Sequence, residues 1–164
     1  MIEVCTKSVL GVWFGVAATE KQVFATTFAD NQRQVIHNLL KNLPFNIPFT
    51  VASTCSPFAE KILSMIEHVY FGKPITVTHV CLATDHLPIY TQKVFQTVSL
   101  IPVGYVTSYG AVAKATDGGA RAVGNVMAAN PFAPIVPCHR VVCSDFKLGG
   151  YGHGLNIKTE LLKR

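Results

Sequence analysis

The pattern of apolar residues changes near Ala83–Pro88, and this change is what most constrains the fold. Before it, β-branched and aromatic runs alternate with helix-like segments, which is typical of a small α/β layer. After it, helical spacing dominates until Ile135–Val142, where an apolar run predicts a strand. We therefore expect an α/β part over residues 1–83 and a mainly helical part over residues 84–164.

The sequence of the first part predicts two helices and three strands. Asp30–Leu43 has apolar residues at helical spacing, and Asp30 or Asn31 can cap its start. A second helix is predicted where serine at the N-cap precedes proline at the first helical position, at Ser56-Pro57. Runs rich in β-branched and aromatic residues predict three strands, the first two joined by a polar turn at Thr19–Gln22: Val9–Val16, Val23–Phe28 and Pro74–Leu82.

The second part predicts three helices, over Ile89–Leu100, Tyr109–Ala115 and Ala120–Ala129. Thr107-Ser108 can cap the second helix, and Asp117–Gly119 forms a turn before the third. A helix, a tight glycine-containing turn and a second helix are typical of a helix-turn-helix, although short helix pairs also occur in many other helical packings.

Composition excludes several classes of protein. The 164 residues are 49% apolar and 14% charged, which is incompatible with intrinsic disorder. The longest apolar stretch, Val9–Ala18, is shorter than the roughly 20 residues needed to span a membrane. No secretory signal is visible in Met1–Lys7, and the odd count of five cysteines favours a reducing cytoplasm. A net charge of +5 permits a polyanionic partner without requiring one.

The third predicted helix of the second part carries almost no long side chains. Ala, Gly and Val dominate it, and Arg121 is its one long basic residue. A helix that reads bases in the major groove normally presents several Arg, Asn or Gln side chains. Small residues instead suit either tight packing in a core or close approach to the minor groove, which is about 6 Å wide.

Three prolines surround a single cysteine, Cys138, in the apolar run that follows. A free cysteine in such a run is often core filler. Here it is followed by His139 and Arg140, which are costly to bury, and a cationic neighbourhood lowers a thiol pKa and generates the reactive thiolate. A metal site is the alternative, but Cys138, His139 and Cys143 lack a fourth ligand at a typical spacing.

The residues around Cys138 resemble the O6-alkylguanine-DNA alkyltransferases (methylated-DNA–protein-cysteine methyltransferases). Pro137-Cys138-His139-Arg140-Val141-Val142 matches the signature of that family. The resemblance extends from Ile89 onward, and further segments carry it: Gly104–Gly110, Arg121–Gly124, Asn130-Pro131, Leu148–Tyr151, Gly154-Leu155, Lys158 and Leu161-Leu162.

The resemblance implies an RNase H-like α/β N-terminal part and a mainly helical C-terminal part of winged helix-turn-helix type. It implies a DNA repair protein that transfers the alkyl (methyl) group of O6-alkylguanine in DNA to its own cysteine, irreversibly and in a single turnover. Such a protein binds double-stranded DNA through the minor groove and flips the damaged nucleotide out. We expect a cytoplasmic monomer that uses no cofactor or metal and does not associate with a membrane.

The resemblance also implies roles for individual residues. Cys138 is the nucleophile and His139 the base that activates it through a water. Tyr109 helps to rotate the nucleotide and donates a proton to guanine N3. Arg121 fills the vacated space in the base stack, and Asn130 holds the turn between helix and active site.

Two further groups follow from the same resemblance. The carbonyls of Cys138 and Val141 are expected to accept from the base amine, and the Gly152 N–H to face O6. The remaining DNA contacts are expected at Thr107, Ser108, Ala122, Gly124 and Arg140. The substrate pocket is expected to be formed by Val141, Tyr151, Gly152 and His153.

This sequence departs from the family at two places. The family carries a glutamate for the histidine at what would be position 165, one past Arg164. Either the chain is truncated there or another acid replaces the glutamate, and the Arg164 carboxylate and Glu160 are the candidates. His153 stands where relatives have small residues. Two other functions are alternatives. A non-catalytic alkyltransferase-like lesion sensor is disfavoured because such relatives replace the cysteine, and a winged-helix transcription factor is disfavoured because the predicted recognition helix has almost no long side chains.

Overall fold

A computed structural model describes residues 1–73, 75 and 80–164. The chain forms two compact units. The first comprises Met1–Ala83 together with Pro131–Ile135, and the second comprises Thr84–Asn130 together with Val136–Arg164. Within the described residues, no helix combines the length and the apolarity that crossing a bilayer requires.

The first unit contains a four-stranded sheet in the order β3-β2-β1-β4. The β1–β2 and β2–β3 pairs are antiparallel, and β4 runs parallel to β1. The strands are β1 (Ile2–Val9), β2 (Val12–Ala18), β3 (Val23–Ala29) and β4 (Phe49–Val51).

The strand predicted over Val9–Val16 was wrong in its bounds. A two-residue turn at Leu10-Gly11 divides it, and Val9 pairs with Val12 across that turn. Both turn residues have positive φ, 51° and 79°, which suits a tight hairpin between twisted strands. The predicted turn between β2 and β3 is confirmed. Most of the strand predicted over Pro74–Leu82 lies outside the described residues.

Both predicted helices of the first unit are confirmed, as α1 (Gln32–Leu40) and α2 (Pro57–Tyr70). The Asn31 side chain accepts from the backbone N–H of Gln34, and that of Ser56 accepts from Ala59. These caps satisfy backbone donors that the first helical turn leaves unpaired. Helix α1 packs closely on the sheet, because a Cβ at Gly15 would lie 2.2 Å from Val35 Cγ1.

The second unit is mainly helical, and its predicted helices are confirmed. Ser108 caps the second helix through a hydrogen bond from the Ala111 N–H, 3.0 Å long. The helices are α3 (Ile89–Val98), α4 (Tyr109–Ala115), α5 (Ala120–Ala128) and α6 (Leu155–Lys163), and a two-stranded parallel pair joins β5 (Thr107–Ser108) to β6 (Val141–Val142).

The strand predicted over Ile135–Val142 was wrong, because only Val141–Val142 is a strand. Cys138–Arg140 instead forms a short 3-10 turn that leads into β6. Pro134 and Pro137 cannot donate to a sheet, so a run of strand-like composition is interrupted before its last two residues. The reactive-cysteine candidate therefore lies on a turn.

The five cysteines divide into a bonded pair and three free thiols. Cys5, on β1, forms a disulfide with Cys55, 50 residues later and next to the cap of α2. The Glu3 carboxylate lies within 4.8 Å of this pair. Cys81, Cys138 and Cys143 are free.

Candidate active site

A cleft of ≈750 Å³ opens in the second unit, and Cys138 is part of its lining. Helices α4 and α5 form one side of it, and the segment after β6 forms the other. The cleft is lined by Tyr109, Gly110, Ala120, Arg121, Gly124, Met127, Ala128, Cys138, Cys143, Ser144, Gly149, Gly150, Tyr151 and Gly152.

The Cys138 thiol is held in a buried position by its own turn. The side chain of Cys138 is 5% exposed, and its backbone N–H donates to Val136 O at 2.8 Å. The Asn130 amide donates to the same Val136 carbonyl at 3.1 Å and also hydrogen-bonds the thiol. Burial raises the pKa of Cys138, while the Asn130 bond and the charge of Lys158 lower it. The thiolate therefore depends on a small number of polar neighbours.

His139 is buried as a neutral imidazole. Burial, and then the positive charges of Arg140 and Lys158, lower its pKa to about 3. Its Nδ1 is buried without a hydrogen-bond partner among the described residues. The expectation that His139 contributes to a cationic neighbourhood around Cys138 was wrong, because burial holds its pKa far below neutral pH and the imidazole is uncharged.

Arg140 is directed at the backbone. Its guanidinium donates to the Ile101 carbonyl at 2.9 Å, and burial lowers its pKa. The Glu160 carboxylate, expected as a partner for His139, is exposed and lies 3.4 Å from Lys163 Nζ. Glu160 therefore does not replace the family glutamate in this structure.

Tyr109 begins α4 and is held between the segment after β6 and Lys158. Gly149 has a φ of +71°, and a Cβ there would lie 2.8 Å from the Tyr109 ring. Lys158 Nζ lies 5.9 Å from the centre of the same ring. Burial, followed by the nearby Cys143 and Cys138 thiols, raises the pKa of Tyr109. Its phenol therefore keeps its proton and is available as a hydrogen-bond donor.

Tyr151 lines the cleft, and its ring lies between the rings of His139 and His153. Its ring lies 6.4 Å from that of His139 and 5.4 Å from that of His153. His153, which departs from the family pattern, thus packs against Tyr151 next to the lining residues.

The comparisons with known proteins agree with this geometry. Residues 89–164 match the family model of the DNA-binding domain of 6-O-methylguanine DNA methyltransferase. The match begins at the first residue of α3 and includes the whole lining of the cleft.

Curated relatives of this family match the same half of the chain. A methylated-DNA–protein-cysteine methyltransferase of Pyrobaculum aerophilum is 53% identical over 62 residues, 38% of this chain and 42% of the relative. That of Mycobacterium leprae is 47% identical over 76 residues, 45% of this chain and 46% of the relative. The sequence matches thus span less than half the length of these relatives.

Solved structures of the family resemble the whole chain. The O6-methylguanine-DNA methyltransferase of Pyrococcus kodakaraensis has a TM-score of 0.73 and 27% identity, covering 99% of this chain and 98% of that one. Mycobacterium tuberculosis OGT in complex with DNA has a TM-score of 0.74 and 28% identity, covering 98% and 91%. The mixed sheet and helices of this protein are therefore similar to those of these two solved structures.

The structure brings six of the predicted site residues into the cleft: Tyr109, Arg121, Gly124, Cys138, Tyr151 and Gly152. Asn130 and His139 adjoin Cys138 from behind the lining. Val141 is buried, and its carbonyl, predicted for the base amine, accepts from Lys158 Nζ at 2.8 Å. The other predicted DNA contacts lie outside the lining: Thr107, Ser108, Ala122 and Arg140.

Two residues beside the thiol were not predicted as site residues: Cys143 was considered only as a metal ligand, and Lys158 only carries the resemblance. Cys143 lines the cleft, and Lys158 influences the charge of Cys138 from α6. The signal for Lys158 is its spacing, because it lies three residues before the buried Leu161 on the inward face of the helix. A lysine at such a position needs an unusual set of partners.

Proposed function

We propose that this protein repairs DNA by transferring the alkyl group of O6-alkylguanine to its own Cys138. One observation carries the proposal: a free, buried thiol lines a cleft large enough for a base, within the half of the chain that matches the family. Base-modifying proteins take the target nucleotide out of the stack into a pocket of this kind.

The transfer is a displacement at the alkyl carbon. The S–C bond to Cys138 forms as the bond from carbon to guanine O6 breaks, and that electron pair stays on the purine. Tyr109 gives its proton to N3, so the purine leaves neutral, and His139 takes the thiol proton through a water. A neutral His139 has the lone pair this needs, and a pKa of about 3 makes it a weak base.

DNA is proposed to bind through the minor groove, with α5 as the helix that approaches it. Gly124, Ala128 and Arg121 of this helix line the cleft. Two of them have small or no side chains, and the third has a long cationic one. Arg121 would occupy the gap left by the flipped nucleotide. Thr107, Ser108, Ala122 and Arg140 are proposed as further contacts, and Gly152 and His153 as parts of the substrate pocket.

The finer architecture belongs to the same proposal. The first unit is proposed to be RNase H-like, over residues 1–83, and the second to be a winged helix-turn-helix, over residues 84–164. Helices α4 and α5 with the intervening turn would be the helix-turn-helix. We propose a cytoplasmic monomer that needs no cofactor for the transfer.

The test uses a duplex whose O6-methylguanine carries an isotope-labelled methyl group. Wild-type protein is expected to become labelled, and Cys138→Ser to remain unlabelled while still binding the duplex, because binding depends mainly on phosphate contacts. Cys81→Ser, which changes an exposed thiol of the first unit, is the matched control and should be labelled like wild type.

Label in Cys138→Ser would contradict the assignment of the nucleophile. Binding without label in the wild type would instead support a non-catalytic lesion sensor. Binding of one undamaged sequence in strong preference to others would support a transcription factor, since few base edges can be distinguished in the minor groove.

A further inference from the structure

The turn that follows β6 presents an aromatic side chain to solvent. Phe146 is 84% exposed, and its backbone φ is +64°. This left-handed conformation is strained for a bulky residue, whereas glycine and asparagine adopt it readily. Exposure of one apolar side chain is ordinary, but strained backbone positions concentrate at functional sites. The surroundings of Phe146 therefore decide whether the ring has a function.

Backbone hydrogen bonds close this turn without help from the ring. The Cys143 N–H donates to Lys147 O at 2.9 Å, and the Phe146 N–H donates to Cys143 O at 2.9 Å. The Asp145 carboxylate accepts from the Lys147 N–H at 3.2 Å and lies 3.5 Å from Lys147 Nζ. The turn is thus held by its backbone and by one ion pair, and an exposed Phe146 ring adds little to its stability.

The same turn extends one side of the cleft outwards. Cys143 and Ser144, at its start, line the cleft, and so does Gly149 just beyond its end. A Cβ on Gly110 would lie 3.4 Å from Ser144 Oγ, so the turn packs against the beginning of α4. Phe146 is two residues past Ser144 and outside the lining. An exposed apolar ring therefore stands beside the cleft that is proposed to receive a base.

Duplex DNA is the partner that fits this position. The match to the DNA-binding domain includes both the cleft and Phe146. Phe146 extends the side formed by the segment after β6, whereas Arg121 belongs to the side formed by the helices. Proteins that bind the minor groove insert apolar side chains, phenylalanine among them, between base steps.

The charges next to Phe146 agree with this partner. Lys147 is exposed and can reach phosphates, and the Asp145 carboxylate is paired with it, so repulsion of DNA is reduced. A partner protein would need a contiguous apolar patch, and Phe146 stands alone between two charged residues.

We propose that Phe146 binds duplex DNA by inserting its ring into the minor groove beside the extruded nucleotide, on the side of the cleft facing Arg121. The ring stacks on the base step that extrusion leaves partly unstacked, and the left-handed backbone holds the ring out from the turn. Phe146 is a binding contact, and no bond forms or breaks at it. This inference rests on the proposed function and adds a contact from the turn to those of α5.

The test measures the affinity of Cys138→Ser protein for a fluorescent duplex containing O6-methylguanine, by anisotropy over a series of salt concentrations. This parent cannot react, so only binding is observed. Adding Phe146→Asn should lower the affinity about tenfold, the effect expected for one stacked aromatic ring. The slope of affinity against salt should stay the same, because that slope counts phosphate contacts.

Leu10→Asn is the matched control. Leu10 is also an exposed apolar residue in the left-handed region, with a φ of 51° and 86% exposure, but it lies in the hairpin turn of the first unit. Both asparagine variants should resist urea at least as well as the parent, and only Phe146→Asn should bind DNA more weakly. Phe146→Tyr keeps the ring and should bind like the parent.

A tryptophan variant covers the case in which Phe146→Asn does not fold. Phe146→Trp places an indole at the same point, and its emission should be quenched when the duplex binds, in contrast to a parent whose single tryptophan is Trp13. Unchanged emission on binding would overturn the proposal.

Three results with the asparagine variant would also overturn it: an affinity equal to that of the parent, a shallower salt slope, or a loss of affinity matched by a loss of stability. A parent that binds no duplex would instead contradict the proposed function. A parent that binds while Phe146→Asn binds equally well contradicts this inference alone.

Discussion

At the scale of residues, burial shifts the Cys138 thiol and several ionisable side chains near it towards their neutral forms. It raises the pKa of Cys138 and Tyr109 and lowers that of His139 and Lys158. Charge that develops during a displacement is therefore stabilised by a few fixed groups with little help from water. The same burial links the state of these groups to stability.

The lowered pKa of His139 predicts how the stability of the folded protein changes with pH. Its pKa is about 3 when folded and 6.5 when exposed, so between these values the unfolded chain binds more protons. Acidification through that window should lower the free energy of unfolding, with this histidine contributing up to about 1.4 kcal/mol per pH unit. His139→Phe keeps an aromatic ring without a titratable group, and its unfolding in urea should depend less on pH.

The exposed His37 on α1 supplies the control for that measurement. His37→Gln should follow wild type between neutral and acidic pH. A His139→Phe protein with the same acid dependence as wild type would show that His139 is not held neutral by burial.

The motif around Cys138 could be recognised because its residues are adjacent in sequence. Tyr109 was identified only through the family resemblance, and Arg121 is the one long basic residue of its predicted helix. Lys158 was not assigned a role, because its importance depends on three carbonyls brought together by the fold. The charge of His139 was misjudged, because sequence alone does not show how deeply an imidazole is buried.

At the scale of elements, helices were predicted better than strands. Asn31, Ser56 and Ser108 each mark a helix start by a local rule, and each caps its helix as expected. Strand β1 was missed, because Glu3 and Lys7 give it a polar appearance and its pairing depends on a neighbour. The segment before β6 was misjudged, because its composition favours a strand and its prolines prevent one.

The segment after β6 positions Tyr109, and Gly149 is the residue that allows this. Gly149→Ala adds a Cβ 2.8 Å from the Tyr109 ring at a φ of +71°. We expect a loss of stability above the roughly 1–2 kcal/mol of the left-handed conformation alone, and slower transfer. Gly11→Ala is the control for stability, because it has a φ of +79° and nothing within 4 Å of a Cβ.

Equal losses in the two glycine variants would show that only backbone strain is involved. In that case the close approach of Gly149 to Tyr109 would have no energetic consequence.

Helix α5 is proposed to act on duplex DNA rather than on the base alone. Arg121→Ala should therefore slow repair of a duplex by much more than it slows reaction with free O6-benzylguanine, which needs no extrusion. Rates with both substrates, measured under single-turnover conditions, decide this. Lys114→Ala, at the end of α4, removes a comparable charge outside the cleft and should leave the ratio of the two rates unchanged. An equal loss on both substrates would make Arg121 structural.

At the scale of the whole molecule, the sequence predicts a boundary near Ala83, and nothing in the sequence predicts that Pro131–Ile135 groups with the first unit. Thr26 accounts for this grouping, because its backbone N–H donates to Pro131 O and its hydroxyl to Ala133 O. No local pattern in the sequence shows such a contact, which joins residues 107 positions apart. The pairing of Cys5 with Cys55 has the same origin.

The disulfide should contribute to the stability of the first unit. It joins residues 50 positions apart, and restricting an unfolded loop of that length is worth about 4 kcal/mol. Cys55→Ser should lower the free energy of unfolding by a comparable amount in oxidising buffer, measured by denaturation in urea. Cys81→Ser is the control and should behave like wild type. The free energy of unfolding of Cys55→Ser should be the same in oxidising and reducing buffer, whereas that of wild type should decrease on reduction. If reduction leaves the stability of wild type unchanged, the disulfide does not contribute to stability.

The central claim is that Cys138 accepts one alkyl group from DNA and is not regenerated. The most direct test is the intact mass of the protein after mixing with excess duplex containing O6-methylguanine, followed by peptide mapping. The account predicts a gain of one CH2 per chain, located on Cys138, with no further gain and no further repair on longer incubation. An unmodified protein, a methyl group on another residue, or repair of several duplexes by one chain would contradict it.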